Sequence, residues 1–316
     1  MATVAENTGI TLHTFRGNAR RRTKERIVHG LFVAAAALSL VISAAIILAL
    51  LEKAIVFLTK VPLDLLWSSG WLPRNNQFDL PTIIIGTLAI AVVAMAVAIP
   101  VGLGAAIYLA EYSAGRLRRI LKPILETLAG VPSVVMGFFA LSVISPDFVK
   151  KLFSSAGTFS LLAAGIGVGI LTVPLVASVA EDAMYAVPGA LREAAYGIGA
   201  RRRSVTTKVV FPAAASGVAA AVILGVSRAI GETMVVAIAA GGTGGSLRTY
   251  DLLGPGQTMT GAISSLAVGS DQVAAVSGQT LNPYEALYLV GFLLFVFTLV
   301  LNLVSERFVR RVRRNF

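Results

Sequence analysis

The sequence contains no cysteine and few charged residues, and each shortage removes a class of function. Without cysteine the chain has no disulfides, no cysteine metal sites and no thiol catalysis. The only two histidines, His13 and His29, are single residues with no partner, so we expect neither a metal nor a cofactor. Charged residues make up 14% of the chain and hydrophobic residues 56%, whereas soluble domains carry about 25% charged residues. So much apolar sequence must face lipid.

The basic residues give a formal net charge of +11, a value also found in proteins that bind nucleic acid. Here they cluster between long apolar runs, which is typical of membrane proteins, so we expect no nucleic-acid partner. The uncharged run Val28–Leu51 is long enough to cross roughly 30 Å of hydrocarbon and too long for a signal-peptide core. No small-residue cleavage site precedes Glu52, so this run predicts an uncleaved first transmembrane helix.

Six apolar stretches predict an all-α integral membrane protein with six transmembrane helices. The stretches are Val28–Leu51, Thr82–Ala110, Pro123–Ser145, Phe159–Ala180, Val209–Ala240 and Glu285–Val304. The same division predicts an N-terminal tail at 1–27, a core at 82–305 with loops at 181–208 and 241–284, and a basic tail at 306–316. The second and fifth stretches are longer than one straight span needs, which implies tilt, a break or an interfacial part.

The distribution of Lys and Arg predicts the orientation. If the N-terminus is inside, twenty of these residues lie in inside segments and six in outside segments. The inside segments are residues 16–26, 116–122, 192–208 and 307–314. The positive-inside rule therefore predicts that both termini and the loop at 181–208 are cytoplasmic, whereas the loop at 241–284 is external. The external loop begins with the glycine-rich run Gly241–Ser246, which is either a plain linker or a mobile lip.

The cytoplasmic loop has a pattern suited to contact with another protein. Pro188-Gly189 is a helix start, and the segment Ala190–Tyr196 favours a short helix whose alanines allow another surface to approach closely. Gly199 can adopt a turn that a side chain would resist, and Pro212 falls in the first turns of the next predicted span.

This loop resembles the EAA loop of ATP-binding-cassette (ABC) importer permeases. The residues that carry the resemblance are Glu193, Ala194, Ala195, Gly199 and Pro212. In that family the loop forms a coupling helix seated in a cytoplasmic ATPase subunit; the alternative is an amphipathic loop with a chance Glu-Ala-Ala. The chain lacks a Gly-x-x-x-x-Gly-Lys-Ser/Thr phosphate loop. ATP hydrolysis is therefore expected from a partner, and this chain has no catalytic residues.

Two charged residues, Arg228 and Glu232, lie within the fifth predicted span. On a helix they share one face, and a charge at this depth usually faces an interior cavity. A straight helix would place Arg228 about 25 Å beyond Phe211, in the outer half of the membrane. Two interpretations stay open: an anion site whose guanidinium fork grips an oxyanion, or a structural pair that neutralises itself.

Three segments resemble the permeases of phosphate-specific ABC importers, with closer similarity to the C-type (PstC-like) member than to the A-type. They are Tyr108–Tyr112, Leu125–Gly137 and Arg228–Met234, within a likeness that covers roughly residues 80 to 305. The resemblance implies the type-I (MetI-like) permease fold in a bacterial inner membrane. It also implies three kinds of partner: a similar A-type permease subunit, two copies of a cytoplasmic ATPase and an external phosphate-binding protein.

The resemblance also implies a phosphate pathway and alternating access to it. The residues expected along the pathway are Arg228, Glu232, Glu126, Thr233 and Ser133. For Glu126 the alternative is an interfacial residue near Lys122, one helical turn away. Three other functions remain as alternatives: a permease for another oxyanion such as molybdate or sulfate, an ion-gradient-driven carrier, and a membrane scaffold.

Overall fold

The computed structural model describes residues 19–242, 246–248, 250–269 and 283–314. Its contacts divide the chain into two units, Met1–Glu52 and Lys53–Phe316. The first helix, α1, runs over Ala19–Lys60 and contains the predicted run Val28–Leu51. Within the first unit this helix has no proline and no glycine after Gly30, so nothing interrupts its hydrogen bonding.

The second unit contains the remaining helices and three short strands. The strands are β1 (Gly70–Leu72), β2 (Gln77–Phe78) and β3 (Ser246–Leu247). The helices are α2 (Leu80–Ile107), α3 (Gly115–Leu128), α4 (Ser133–Phe139), α5 (Leu161–Tyr185), α6 (Gly189–Gly197), α7 (Arg202–Val205), α8 (Ala215–Gly231), α9 (Met234–Ala239), α10 (Met259–Val268) and α11 (Ala286–Arg314). Wider π-helical turns extend α2 through Tyr108–Tyr112 and α4 through Ala140–Val149.

The predicted all-α class with six spans is confirmed. Among the described residues, five helices are long and apolar enough to cross a membrane. They are Thr23–Lys60, Leu80–Tyr112, Ser133–Leu152, Leu161–Tyr185 and Pro283–Arg307. The helices Arg202–Ala213 and Ala215–Gly231 make the sixth when they are taken as one broken span.

The third span begins at Ser133, so the predicted start at Pro123 is wrong. Pro123 lies inside α3, a separate helix that has one apolar and one basic face. Pro132 separates the two helices, because proline lacks an N–H group and disfavours helical geometry in the residue before it. The local sequence stays apolar across this break, which is why hydropathy joined the two helices.

The fifth predicted span, Val209–Ala240, is broken twice. The chain bends by 72° between Ala213 and Ala215, and the helix then ends at Gly231 before α9 begins. Pro212 therefore lies at the end of a short helix before the bend, not in the first turns of the main span. Proline cannot donate the next helical hydrogen bond, which accounts for the bend and the wider π-helical turn just before it.

Small residues allow the spans of the core to approach closely. A Cβ atom on Gly165 of α5 would lie 2.6 Å from the Val93 side chain of α2, and one on Gly169 would lie 2.8 Å from the Ala94 carbonyl oxygen. Gly225 of α8 similarly leaves no room against α5. Helix pairs in membranes pack through such small residues, so α2, α5 and α8 form the centre of the second unit.

The helices of the second unit have two ends, which we name by their structure. At the sheet end, β1 pairs antiparallel with both β2 and β3, and α2 and α5 begin there. At the α6 end, α2 and α5 finish at Tyr112 and Tyr185, beside α3 and α6. The described parts of the predicted external loop lie at the sheet end and include β3 and α10. Residues 243–245 of its glycine-rich run lie outside the described residues, so the linker and lip interpretations both stay open.

Candidate functional site

Arg228 and Glu232 do not share a helix face, so that prediction is wrong. Helix α8 ends at Gly231, and Glu232 has an extended backbone with φ −71° and ψ 127°. Arg228 is exposed, whereas Glu232 is 8% exposed. Within the described parts of the chain, no hydrogen bond or ion pair joins the two side chains. The straight-helix estimate of the depth of Arg228 also fails, because the chain bends at Ala214.

The break after α8 is supported by α10. The Thr260 hydroxyl donates a 2.8 Å hydrogen bond to the carbonyl oxygen of Glu232, and Thr258 lies 3.0 Å from Thr260. Thr258 also accepts a hydrogen bond from the Gly261 N–H and so caps α10. A broken helix within a membrane needs partners for its freed backbone groups, and α10 supplies one here. Two threonines therefore hold the unwound segment in place.

Sequence reasoning missed Asn302 of α11. The Ser227 hydroxyl, next to Arg228 in α8, donates a 3.0 Å hydrogen bond to the Asn302 side-chain oxygen. Both Arg228 and Asn302 are exposed. An asparagine inside the apolar stretch Glu285–Val304 was the available signal, since polar residues within spans often mark a pathway. This hydrogen bond joins α8 to α11 at the residue that precedes Arg228.

Thr233 and Ser133 lie on two elements that pack together. A Cβ atom on Gly137 of α4 would lie 3.0 Å from the Val235 Cα of α9, so α4 crosses α9 very closely. Ser133 begins α4 and Thr233 precedes α9, and both are half-buried. The structure thus joins the two segments that the sequence analysis singled out. In the described parts of the chain, however, neither hydroxyl is hydrogen-bonded to Arg228.

The position of Glu126 favours its alternative interpretation, an interfacial residue near Lys122. It lies on α3, outside the membrane-spanning helices, and is exposed. It follows the basic face of this helix, one turn from Lys122.

The loop between α5 and the broken span that begins at Arg202 is shorter than the predicted loop at 181–208, because α5 extends to Tyr185. Helix α6 carries Glu193 and Ala194 on its exposed side, and Ala195 is its buried residue. Gly199 has φ +80°, which confirms the predicted turn. Such left-handed geometry strains residues with a Cβ atom.

Helix α6 is fastened to α2 through Arg192. The guanidinium donates to Glu111 Oε1 from Nε at 3.1 Å and from Nη2 at 2.8 Å. It also donates to the carbonyl oxygens of Met184 at 2.8 Å and Val187 at 2.6 Å. One side chain therefore links α6 to the ends of both α2 and α5. Arg202 adds a hydrogen bond to the carbonyl oxygen of Glu111.

A second ionic cluster fastens α5 to α3. The Glu181 side chain is completely buried and accepts hydrogen bonds from Arg118 Nε and Lys122 Nζ, both at 2.7 Å. Lys122 also pairs with Asp182. Burial lowers the pKa of Lys122, but its hydrogen bonds to Asp182 and Glu181 outweigh this and raise that pKa overall. The Arg118 guanidinium lies 3.7 Å from the centre of the Tyr185 ring.

An all-α chain with six spans, a broken fifth span and a short surface helix fastened between spans has the architecture of a type-I ABC importer permease. Residues 98–314 match the family described as binding-protein-dependent transport system inner membrane component. The chain belongs to this family. It is a multi-pass inner-membrane permease subunit and not an enzyme.

Curated relatives cover most of the chain. The probable ABC transporter permease protein YqgH of Bacillus subtilis is 33% identical, over 78% of this chain and 78% of its own length. The phosphate transport system permease protein PstC of Xylella fastidiosa is 31% identical, over 78% of this chain and 79% of that protein. The PstC protein of Mesorhizobium japonicum is 29% identical, over 91% and 90%.

Solved structures support the fold alone. A bacterial alginate ABC transporter in complex with a periplasmic protein that binds an alginate pentasaccharide contains a chain with a TM-score of 0.64 and 15% identity, covering 93% of this chain and 97% of that one. An inward-facing MetNI methionine ABC transporter gives a TM-score of 0.54 at 19% identity, over 72% and 93%. The predicted MetI-like fold is confirmed.

Proposed function

We propose that this chain is the C-type permease subunit of a phosphate importer. The observation that supports phosphate as the substrate is the sequence identity of 29–31% between this chain and phosphate transport system permease proteins PstC, over most of both chains. In this proposal the chain pairs with a similar A-type permease, and an external phosphate-binding protein delivers the anion. The two permeases form the pathway between them.

Arg228 is the proposed anion contact. A guanidinium presents forked N–H donors that match the oxygens of phosphate, and this one is exposed and joined to no carboxylate in the described parts of the chain. Ser133 and Thr233 would line the same pathway through the α4–α9 contact, and Asn302 would add amide donors. Glu232 lies directly after the helix break. Its negative charge would repel the anion and keep the affinity for it low enough for release.

The exposed side of α6 is the proposed docking surface for the ATPase subunit. Glu193 and Ala194 face outward there, and Gly199 and Pro212 shape the chain that follows. In this proposal the α6 end lies in the cytoplasm with both termini, which the twenty-to-six distribution of basic residues supports. ATP-driven movement of α6 would then switch the spans between inward and outward access.

Uptake by whole cells tests the substrate. Deleting the gene for this chain should reduce the uptake of labelled phosphate at least tenfold at limiting concentration, and restoring the chain should restore it. Uptake of labelled sulfate and molybdate serves as the matched control and should stay within twofold. A loss of sulfate or molybdate uptake with normal phosphate uptake would assign the permease to that other oxyanion. Phosphate uptake that persists after ATP depletion but collapses with the ion gradient would instead identify a carrier.

A further inference from the structure

Helix α6 is attached to the rest of the chain mainly by polar contacts of a few residues. Of its nine residues, from Gly189 to Gly197, Ala195 alone is buried. An apolar face would hold a helix firmly, but α6 has almost none in contact with the rest of the chain. Arg192 therefore supplies the main connection between this helix and the ends of α2 and α5, with four hydrogen bonds to three residues.

The acceptor of that connection is a buried charge at the end of α2. The Glu111 side chain is 3% exposed and the Arg192 side chain 20%. Both guanidinium donors that reach Glu111 meet a single oxygen, Oε1, and within the described parts of the chain no other side chain pairs with this carboxylate. A buried charge without its partner is strongly unfavourable, so Glu111 must stay with Arg192 when either element moves.

Glu111 also belongs to a wider turn of the helix. The π-helical turn Tyr108–Tyr112 ends α2, and such turns often occur at functional positions. Helix α2 packs along α5 through Gly165 and Gly169, so a displacement of its end is carried along a closely packed helix pair. A movement of α6 thus has a direct mechanical route into the centre of the spans.

We propose that Arg192 and Glu111 form a transmission joint, which passes movement of α6 to α2. This inference rests on the proposed docking of α6 on an ATPase subunit. Arg192 and Glu111 are positioning residues in it: neither contacts phosphate or ATP. Glu193 and its exposed neighbours receive the movement, and the preceding residue, Arg192, passes it to the spans through its partly buried side chain.

The test uses the complete transporter reconstituted in liposomes, with two double variants. Glu111→Gln/Arg192→Gln removes both charges of the joint, so neither is left unpaired. Lys60→Gln/Glu285→Gln removes a partly exposed ion pair at the sheet end and is the matched control. Three quantities are measured: the amount of assembled complex, ATP hydrolysis, and the response to ATP of a polarity-sensitive fluorophore on an engineered cysteine at Leu88 of α2. The natural chain has no cysteine, so within this subunit only the engineered position is labelled, and a complex without the engineered cysteine measures labelling of the partner subunits.

We expect the joint variant to assemble and hydrolyse ATP within twofold of the parent, while its fluorescence response and phosphate uptake per ATP fall at least tenfold. The control should keep both. A fluorescence response in the joint variant within twofold of the parent would overturn the proposal. The fluorescence response needs no substrate. A parent complex that responds to ATP but imports no phosphate would therefore refute the assignment of phosphate as the substrate and leave the proposed joint intact.

If the joint variant does not assemble, a variant with a pair of cysteines at the same two positions tests the proposal instead. Glu111→Cys/Arg192→Cys is assembled with and without a bifunctional thiol reagent, and phosphate uptake per ATP is compared. A covalent bridge that raises uptake per ATP at least fivefold supports the joint. Uptake per ATP that does not rise after complete crosslinking would overturn it.

Discussion

The α6 end and the sheet end of the second unit are held by different interactions. At the sheet end, aromatic rings pack edge to face, with Phe57 5.2 Å and Trp71 6.0 Å from Phe78, and strands connect the segments on either side. Asp79 there caps α2 through Thr82 and pairs with Arg248. At the α6 end, ionic clusters fasten α6 and α3 to the ends of α2 and α5, beside an apolar cluster that includes Met184, Val205 and Val210.

The two kinds of interaction have different mechanical consequences for the two ends. Interlocked apolar side chains resist small rotations of the segments that carry them. We therefore expect the sheet end to behave as one closely packed block. Ion pairs of long side chains can follow two elements as they shift and still keep buried charges satisfied. In the proposed mechanism the α6 end moves while it stays connected, and the predictions below test this contrast between the two ends from the largest expected effect to the smallest.

The largest effect is expected at Glu181. Glu181→Ala leaves Arg118 and Lys122 without their buried acceptor, which should lower the free energy of unfolding by about 3–5 kcal/mol. The thermal unfolding midpoint of the purified protein in detergent measures this. Asp147→Ala, which removes an exposed pair with Lys151, is the control and should cost no more than about 1 kcal/mol. An equal loss of stability in the two variants would show that the buried cluster contributes no more to stability than the exposed pair.

At the sheet end, Asp79→Ala should affect stability but not coupling. The lost helix cap alone should lower the free energy of unfolding by about 1–2 kcal/mol. Phosphate uptake per ATP should stay within twofold of the parent, because this end is not on the route from α6. Asp79→Asn keeps a capping oxygen and should recover part of the stability. A tenfold loss of uptake per ATP in stable Asp79→Ala protein would erase the contrast between the ends.

Gly199→Ala should have a smaller effect, confined to the α6 end. A Cβ atom is strained at φ +80°, which costs about 1 kcal/mol, although open space surrounds the residue. Gly189→Ala is the matched control, since Gly189 has equally open surroundings and no left-handed backbone. Unfolding midpoints of the two variants should differ, with Gly199→Ala the lower; identical midpoints would refute the strain argument.

The smallest effect concerns pH. The pKa of Lys122 is raised above 10.5, so its ionic contribution is fully present below pH 10.5 and is lost as pH rises through the folded-state pKa. The stability difference between the parent and Lys122→Gln should therefore be constant from pH 6 to 9 and shrink above about pH 10.5. A difference that already shrinks between pH 6 and 9 would contradict the assigned direction.

Sequence reasoning located the spans but not their interruptions. Leu80–Tyr112 and Leu161–Tyr185 were predicted to within a few residues, because a long apolar run allows little else in a membrane. The length of the fifth stretch implied a break as one possibility, but the positions of the breaks at Pro132 and Glu232 were not predicted because the surrounding sequence remains apolar. Whether a proline or a glycine bends a membrane helix depends on neighbours such as Thr260, which lies 28 residues from Glu232.

The polar contacts were harder to predict than the spans. Arg192 and Glu111 are 81 residues apart, and Arg118 and Glu181 are 63 apart. A single sequence gives no indication that such residues meet. The converse error occurred at Arg228 and Glu232, whose spacing of four predicts a contact only if the helix continues. Gly199 was predictable because its requirement is local: one residue must adopt a left-handed backbone.

The most direct test of the account is phosphate uptake by Arg228 and Glu232 variants, measured together with their abundance in the membrane. Arg228→Gln should abolish uptake at normal abundance, because Gln keeps polar donors but loses the charge that holds the anion. The double variant Arg228→Gln/Glu232→Gln should remain inactive, since no ion pair joins the two side chains in the described structure. A double variant that regains both abundance and uptake would show that the two charges merely neutralise each other, and would contradict the anion site.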